Sequence, residues 1–126
     1  MALSPHDLVI EAKAQIKEIT TADAQALLTK RITIDVREYN EFAAGHLPGA
    51  INVPRGVLEF QIGTIGECVD KARPYLIYCR TSGRAALSAV QLQKIGYTDL
   101  VSMAGGFEAW AKEGRPVDQP APVNFD

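Results

Sequence analysis

The sequence has few of the residues that build disulfide-stabilised, metal-binding or membrane-spanning proteins. It contains two cysteines, Cys68 and Cys79, and two histidines in 126 residues, and it has no CxxC pair. Two cysteines do not make a disulfide scaffold, and so few clustered ligands exclude a typical zinc site. No stretch approaches the roughly 20 apolar residues that cross a membrane. Free thiols and an N-terminus without leader-like features favour a cytoplasmic, reducing location.

The composition lacks an excess of charge of either sign. The formal net charge is −2, with 47% hydrophobic and 22% charged residues. Such a balance is ordinary for a soluble globular protein and argues against nucleic acid or an anionic membrane surface as the main partner. A chain of 126 residues is long enough for one domain with its own core.

Short runs of β-branched and apolar residues alternate with helical patterns along the chain. The alternation predicts strands at residues 18–20, 31–36, 51–53, 75–78 and 99–102. It predicts helices at residues 5–16, after the cap Thr20, and at residues 37–44, 83–95 and 105–113. Glycines interrupt residues 55–73, for which we expect a short helix, a loop and a further helical turn near residues 67–72.

Alternating strands and helices with short connections are typical of α/β folds. We therefore predict a small central parallel sheet of about five strands with helices on both faces. The predicted domain covers residues 17–117, with an extra N-terminal helix within residues 1–16 and an extended proline-rich tail at residues 118–126. Ligands in such sheets bind beyond the carboxyl ends of the strands.

One stretch places a cysteine at such an end. Apolar residues 75–78 lead into Cys79, a polar loop follows, and an alanine-rich helix begins at Gly83. Free backbone N–H groups and the positive end of a helix dipole favour a thiolate over a thiol. Arg80 and Arg84 flank the loop and add local positive charge. We therefore interpret Cys79 as a nucleophile.

Four charged residues are assigned supporting roles around this cysteine. Asp35 and Arg37 follow a central strand, and we expect them to form a buried pair that orients the loop. Arg84 is expected either to attract an anionic substrate or to pair with an acidic neighbour. Arg80 is expected to lie exposed at the rim, where it steers anions.

Three segments of the chain carry recognisable motifs. The first joins Ile34-Asp-Val-Arg37 to Gly45-His-Leu-Pro-Gly-Ala-Ile-Asn-Val-Pro54. The second is Cys79-Arg-Thr-Ser-Gly-Arg84, and the third is Gly105-Gly-Phe-Glu-Ala-Trp110 followed by Gly114 and Pro116. In this order they resemble the first signature, the active-site loop and the closing signature of the rhodanese family. The resemblance covers roughly residues 17–117 and implies a rhodanese-like α/β fold.

The resemblance implies a sulfur-transfer reaction at Cys79. The thiolate takes the outer sulfur of a donor such as thiosulfate, becomes a persulfide, and passes that sulfur to cyanide or a thiol. Loop N–H groups would cradle the anionic persulfide without a general base, and they belong to Arg80, Thr81, Ser82, Gly83 and Arg84. The implied partners are the small anionic donor, the acceptor, and a sulfur-carrier or thioredoxin-like protein. No metal and no cofactor is expected.

The loop departs from the commonest form of the family at two positions. Ser82 stands where glycine is usual, and Ala85 follows the arginine where serine is frequent. Neither change removes an N–H group from the cradle, but both are expected to shift donor preference. Cys68 is expected to be a small apolar or surface thiol, with the alternative that it resolves the persulfide as a disulfide.

Two other functions stay open at this point. Phosphatases and arsenate reductases of the same fold carry one more residue between cysteine and arginine, which widens the cradle for a tetrahedral oxyanion. Four residues separate Cys79 from Arg84 here, which suits a single sulfur atom better. The other alternative is a non-catalytic binding or regulatory module, although such relatives usually lack the cysteine.

Overall fold

Five parallel strands form one sheet in the order β1-β5-β4-β2-β3. The computed structural model describes residues 2–120 of the chain. The strands are β1 (Glu18–Ile19), β2 (Ile32–Asp35), β3 (Ile51–Asn52), β4 (Pro74–Tyr78) and β5 (Asp99–Met103). The predicted parallel sheet is confirmed. Because β4 lies in the middle, its carboxyl end has a strand on each side.

The helices within residues 2–120 alternate with these strands. They are α1 (Pro5–Lys13), α2 (Thr21–Leu27), α3 (Tyr39–Ala44), α4 (Leu58–Gln61), α5 (Gly83–Lys94) and α6 (Gly106–Lys112). The start of α1 follows from its sequence, because the Ser4 hydroxyl accepts from the Asp7 N–H and the Asp7 carboxylate accepts from the Ser4 N–H. None of these helices is long and apolar enough to span a bilayer.

The helices cover both faces of the sheet. Successive side chains of β4 point to opposite faces and pack there in two different cores. Tyr75 and Ile77 pack with residues of α4 and α5. Leu76 and Tyr78 pack on the other face with Trp110 of α6. All five side chains are fully buried. A strand that is buried on both faces is expected to be a continuous apolar run, and residues 75–78 are one.

The N-terminal helix α1 packs on α5. Ala12 shares a buried cluster with Ala86 and Val90 of α5. Near the start of α5, a Cβ atom built on Gly83 would lie 3.3 Å from Cγ2 of Val9. The helix that begins at the cysteine loop is therefore covered by α1 along one side.

One expectation about a helical element is wrong, and a second is right only in part. Helix α1 ends at Lys13 instead of residue 16. Residues 55–73 hold α4 and three 3-10 turns, Arg55–Val57, Ile62–Thr64 and Gly66–Cys68, and the turn expected near residues 67–72 is the last of these. Glycines divide the segment into short turns, and each turn buries its own apolar residue, such as Leu58, Ile62 or Cys68.

The C-terminal tail is described only as far as residue 120. Asp118 pairs with His46 in an isolated antiparallel bridge, through hydrogen bonds of 2.8 and 2.9 Å. Residues 121–126 of the predicted extended tail lie outside the described residues. The domain limits predicted at residues 17 and 117 stay a prediction.

Candidate active site

Cys79 directly follows the central strand β4 and lies at its carboxyl end. The residue is only 1% exposed. Its Sγ atom accepts a hydrogen bond from the Ala85 N–H at 3.3 Å. Because Ala85 lies in the first turn of α5, the cysteine faces the N-terminus of this helix, as its position in the sequence indicates.

The loop after Cys79 leaves its backbone N–H groups unused. Within residues 2–120, no hydrogen bond is donated by the N–H groups of residues 80–84. The first N–H groups of a helix have no intrahelical acceptor, and the loop supplies the others. An anionic group attached to Sγ therefore has several donors within the same short loop.

The N-terminus of α6 binds the carbonyl groups of this loop. The Phe107 N–H donates to the Cys79 carbonyl at 2.8 Å, and the Glu108 N–H donates to the Arg80 carbonyl at 3.0 Å. In a trans peptide the C=O and the following N–H point in opposite directions. Since both carbonyls point at α6, the N–H groups of Arg80 and Thr81 point away from it.

Gly106 allows α6 to approach the loop this closely. Its φ is +61°, and a Cβ atom there would lie 2.5 Å from the carbonyl oxygen of Arg80 and closer still to that of Thr81. Any side chain would therefore push the loop away or displace α6. The glycine pair of the closing motif thus positions the loop through direct backbone contact.

Arg84 pairs with Glu41 of α3 and so takes the second of its two expected roles. Its guanidinium donates to both carboxylate oxygens, at 2.8 and 3.0 Å. These hydrogen bonds lower the pKa of Glu41 from its ordinary value of 4.5 to about 2. The same bonds raise the pKa of Arg84. The pair ties α3 to the end of the cysteine loop.

We expect the Arg84–Glu41 pair to survive mild acid. Because the folded-state pKa of Glu41 is depressed, the pair contributes its full stability above pH 4.5 and loses that contribution as the pH falls towards 2. Urea unfolding of the wild type and of Glu41→Gln, at several pH values, measures the contribution. The difference between the two proteins should be constant near neutral pH and vanish in strong acid. A difference that does not change with pH would contradict this assignment.

Arg80 lies at the exposed rim, as expected, but it also has an acidic neighbour. Its side chain is 70% exposed, and its Nε lies 3.4 Å from a carboxylate oxygen of Glu108, which is 60% exposed. Thr81 is exposed as well, and the Ser82 hydroxyl makes no capping hydrogen bond. The side chains of Arg80 and Thr81 therefore point outwards, while the backbone of the loop faces the cysteine.

Asp35 and Arg37 form the expected buried pair, and Tyr78 joins it. Arg37 donates to both oxygens of Asp35, the shortest bond being 2.7 Å, and the Tyr78 hydroxyl donates to Asp35 at 2.7 Å. Burial, with the nearby carboxylate, raises the pKa of Tyr78. Burial alone would lower the pKa of Arg37, but Asp35 outweighs it and the pKa is raised. Since Tyr78 precedes Cys79, the network holds the strand end from which the loop departs.

Asp35→Asn is expected to lower the free energy of unfolding by about 3 kcal/mol, because it leaves the Arg37 guanidinium buried without a counter-charge. Urea denaturation measures the loss. Asp99→Asn is the matched control, since Asp99 is half-exposed and pairs with Arg31 at the surface. The control should lose less than about 1 kcal/mol. Equal losses in the two variants would contradict a special role for the buried pair.

Three contributors to this site were not identified from the sequence. The hydroxyl of Tyr78 was read only as part of an apolar strand. Gly106 was recognised as part of a motif but not as a contact to the loop. No sequence pattern indicated that Glu41 pairs with Arg84, because it lies 43 positions before Arg84 and meets it only through the packing of α3.

A cleft of about 470 Å³ opens beside the loop, between α3 and α6. Ala44, Phe107 and Ala111 form apolar parts of its wall, and Arg80 and Glu108 also line it. The cleft meets the cysteine loop at Arg80, the residue that directly follows Cys79.

Cys68 lies at the other end of β4 and belongs to the core. It is fully buried, and its carbonyl accepts from the hydroxyl of Tyr97, whose ring packs edge-to-face on Tyr75. Burial raises the pKa of the Cys68 thiol. Since Tyr75 and Cys79 are about 13 Å apart along an extended strand, a direct disulfide would require a large movement.

No cluster of three or more His, Cys, Asp or Glu side chains suited to a metal ion occurs among residues 2–120. His46 is buried and packs within the protein. Its Nδ1 lies 2.8 Å from the Leu47 carbonyl, and its ring stacks on Phe42 at 3.9 Å.

Comparison with known proteins gives one family. The pattern of the rhodanese-like domain matches residues 18–113. An uncharacterised Bacillus subtilis protein, YqhL, is 38% identical over 95 residues, which are 75% of this chain and 72% of that protein. A protein of Allochromatium vinosum named sulfurtransferase is 30% identical over 89 residues, covering 71% of this chain and 79% of its own length.

A solved structure from Rhodopseudomonas palustris superposes with a TM-score of 0.82 at 29% identity. The superposition covers 94% of this chain and 96% of that one. That protein is described as one of unknown function and a possible tyrosine phosphatase. The shared fold is therefore compatible with more than one reaction, so the reaction has to be inferred from the cysteine loop.

Proposed function

The chain belongs to the rhodanese-like domain family, and from this premise we propose that it is a sulfurtransferase that carries sulfane sulfur on Cys79. One observation carries the proposal: the buried Sγ accepts the Ala85 N–H, and the N–H groups of residues 80–84 in the loop that follows have no acceptor among residues 2–120. A persulfide is an anion that needs hydrogen-bond donors and no general base. That requirement matches the environment of this sulfur.

In the first step the thiolate of Cys79 attacks the outer sulfur of the donor. With thiosulfate, a bond forms between Sγ and that sulfur while the sulfur–sulfur bond of the donor breaks. The electron pair of the broken bond leaves with sulfite. Cys79 then carries one additional sulfur and one negative charge, so the total charge is unchanged. The free N–H groups of the loop stabilise this terminal sulfur.

In the second step an acceptor removes the outer sulfur. A thiolate or cyanide attacks it, the bond to Sγ breaks, and the electron pair returns to Cys79 as thiolate. Donor and acceptor thus react in turn with the same atom, so ping-pong kinetics are expected. A thiol of a sulfur-carrier or thioredoxin-like protein is a suitable acceptor, and the two free cysteines suit the reducing cytoplasm in which such thiols occur.

The experiment that tests this function is sulfur loading followed by intact mass measurement. The protein is incubated separately with thiosulfate, inorganic polysulfide and an organic thiosulfonate. A gain of one sulfur atom, removed again by cyanide with release of thiocyanate, is the expected result. If no donor loads the protein, the proposal is wrong.

A phosphatase is the second candidate, because the similar Rhodopseudomonas palustris structure is described as a possible one. The loop supports it less well. Only four residues lie between Cys79 and Arg84, and Arg84 is engaged by Glu41 through two hydrogen bonds. An arginine held in this way has fewer donors left for a phosphate. A non-catalytic module is the third candidate, and it predicts no sulfur loading from any donor.

A further inference from the structure

The cleft beside the cysteine loop is larger than a small inorganic donor requires. Its volume is about 470 Å³. Clefts that hold organic ligands have volumes of about 300–1,000 Å³ and mostly apolar walls. Here Phe107 contributes an aromatic ring, and Ala44 and Ala111 contribute methyl groups. Both the size and the wall favour a substrate with a carbon skeleton.

The buried Arg37, which lines the cleft, and the half-buried Arg84 at the end of the loop do not provide net positive charge. Arg37 is 5% exposed and is neutralised by Asp35 at 2.7 Å. Arg84 is 35% exposed and is neutralised by both oxygens of Glu41. Each guanidinium therefore has its own carboxylate, and the attraction for a divalent anion is largely cancelled.

The exposed Arg80 also has a carboxylate beside it. Arg80 lies at the rim of the cleft, and Glu108 places a carboxylate oxygen 3.4 Å from its Nε. Both side chains are mostly exposed, so neither is needed for packing. A rim that was selected for thiosulfate would be expected to keep Arg80 without a carboxylate beside it. Glu108 weakens the positive potential at the entrance of the cleft.

We propose that the cleft binds the carbon skeleton of an organic sulfane-sulfur donor, and that Glu108 is a specificity residue that disfavours divalent inorganic donors. This inference rests on the proposed function, since it names the substrate class of the same site. The sulfur transfer follows the same steps as with thiosulfate. Cys79 thiolate attacks the outer sulfur of an organic persulfide or thiosulfonate, the adjacent sulfur–sulfur bond breaks, and an organic thiolate or sulfinate leaves with the electron pair.

Two thiosulfonates of equal charge test the part played by size. Methanethiosulfonate and benzenethiosulfonate both carry one negative charge and deliver the same sulfur, but only the second has a ring to fill the cleft. We expect kcat/KM for sulfur loading to be about tenfold higher with the aromatic donor, as one well-placed ring provides. The chemical reactivity of both donors towards a free thiol is measured in parallel and divided out.

Ala111→Phe provides the matched variant for this comparison. Ala111 is exposed on α6 and lines the cleft, so a larger side chain occupies the cleft without entering the core. The preference for the aromatic donor should disappear, because the new ring takes the space of the donor's ring and lowers kcat/KM for benzenethiosulfonate more than for methanethiosulfonate. Equal efficiency of the two donors in the wild type, or an unchanged preference in the variant, would overturn the assignment of the cleft.

Glu108→Gln tests the part played by charge. Removing one negative charge near the entrance should lower KM about twofold for each negative charge on the donor, hence about fourfold for thiosulfate and twofold for benzenethiosulfonate. Glu67→Gln makes the same change in net charge at an exposed residue beside Cys68, at the far end of β4, and should change neither KM. A KM for thiosulfate that does not respond to Glu108→Gln would overturn the specificity role. Failure of every donor to load sulfur would instead refute the proposed function itself.

Discussion

Cys79→Ser is expected to abolish sulfur loading and to lower turnover by about 10³-fold or more. The serine hydroxyl can still accept the Ala85 N–H, so the loop should keep its structure. A hydroxyl, however, is not ionised near neutral pH and is a far weaker nucleophile towards sulfur than a thiolate. Intact mass after incubation with donor measures loading directly, and thermal unfolding verifies that the variant is folded.

Cys68→Ala is the matched control for this experiment. Cys68 is completely buried, and the hydrogen bond that it makes with Tyr97 uses its carbonyl, which the substitution retains. Loading should therefore equal that of the wild type. If Cys68→Ala also loses the adduct, or if Cys79→Ser keeps it, the nucleophile has been assigned wrongly. Hydrolysis of an aryl phosphate that disappears in Cys79→Ser would favour the phosphatase alternative.

Gly106→Ala is expected to lower the rate of sulfur loading by about a hundredfold although the cysteine itself is intact. The new Cβ atom would lie within 2.5 Å of the Arg80 carbonyl oxygen, so the loop backbone or α6 has to move. A displacement of about 1 Å at a reacting group costs about two orders of magnitude in rate. The positive φ of residue 106 adds strain, so the variant should also lose about 2–4 kcal/mol of stability.

Gly114→Ala separates the effect of the contact between residue 106 and the loop from the effect of backbone strain at a positive φ. Gly114 follows the other end of α6 and has a φ of +73°, similar to that of Gly106, but a Cβ atom there meets nothing within 4 Å. This variant should lose stability through backbone strain and keep its loading rate. If the two variants load sulfur at the same rate, the contact between Gly106 and the loop is not what positions Cys79.

Much of the fold could be predicted because its signals are local. Residues 75–78 form a short apolar run of the kind that strands buried on both faces have, and β4 is such a strand. Ser4, Pro5 and Asp7 identify the start of α1, since a capping box involves only neighbouring residues. The end of α1 at Lys13 was missed because no glycine or proline marks it. No local pattern indicates that α1 packs on α5.

The sequence by itself determined the family, the parallel sheet, the nucleophilic candidate Cys79 and the length of its loop. Each of these depends on residue types at fixed short spacings along the sequence. Only the tertiary structure decided which acid faces each arginine and how α6 contacts the loop. Glu41 reaches Arg84, and Gly106 reaches the Arg80 carbonyl, because the sheet order brings separate helices to the same end of β4. Contacts between distant segments follow from this topology, and no local pattern specifies them.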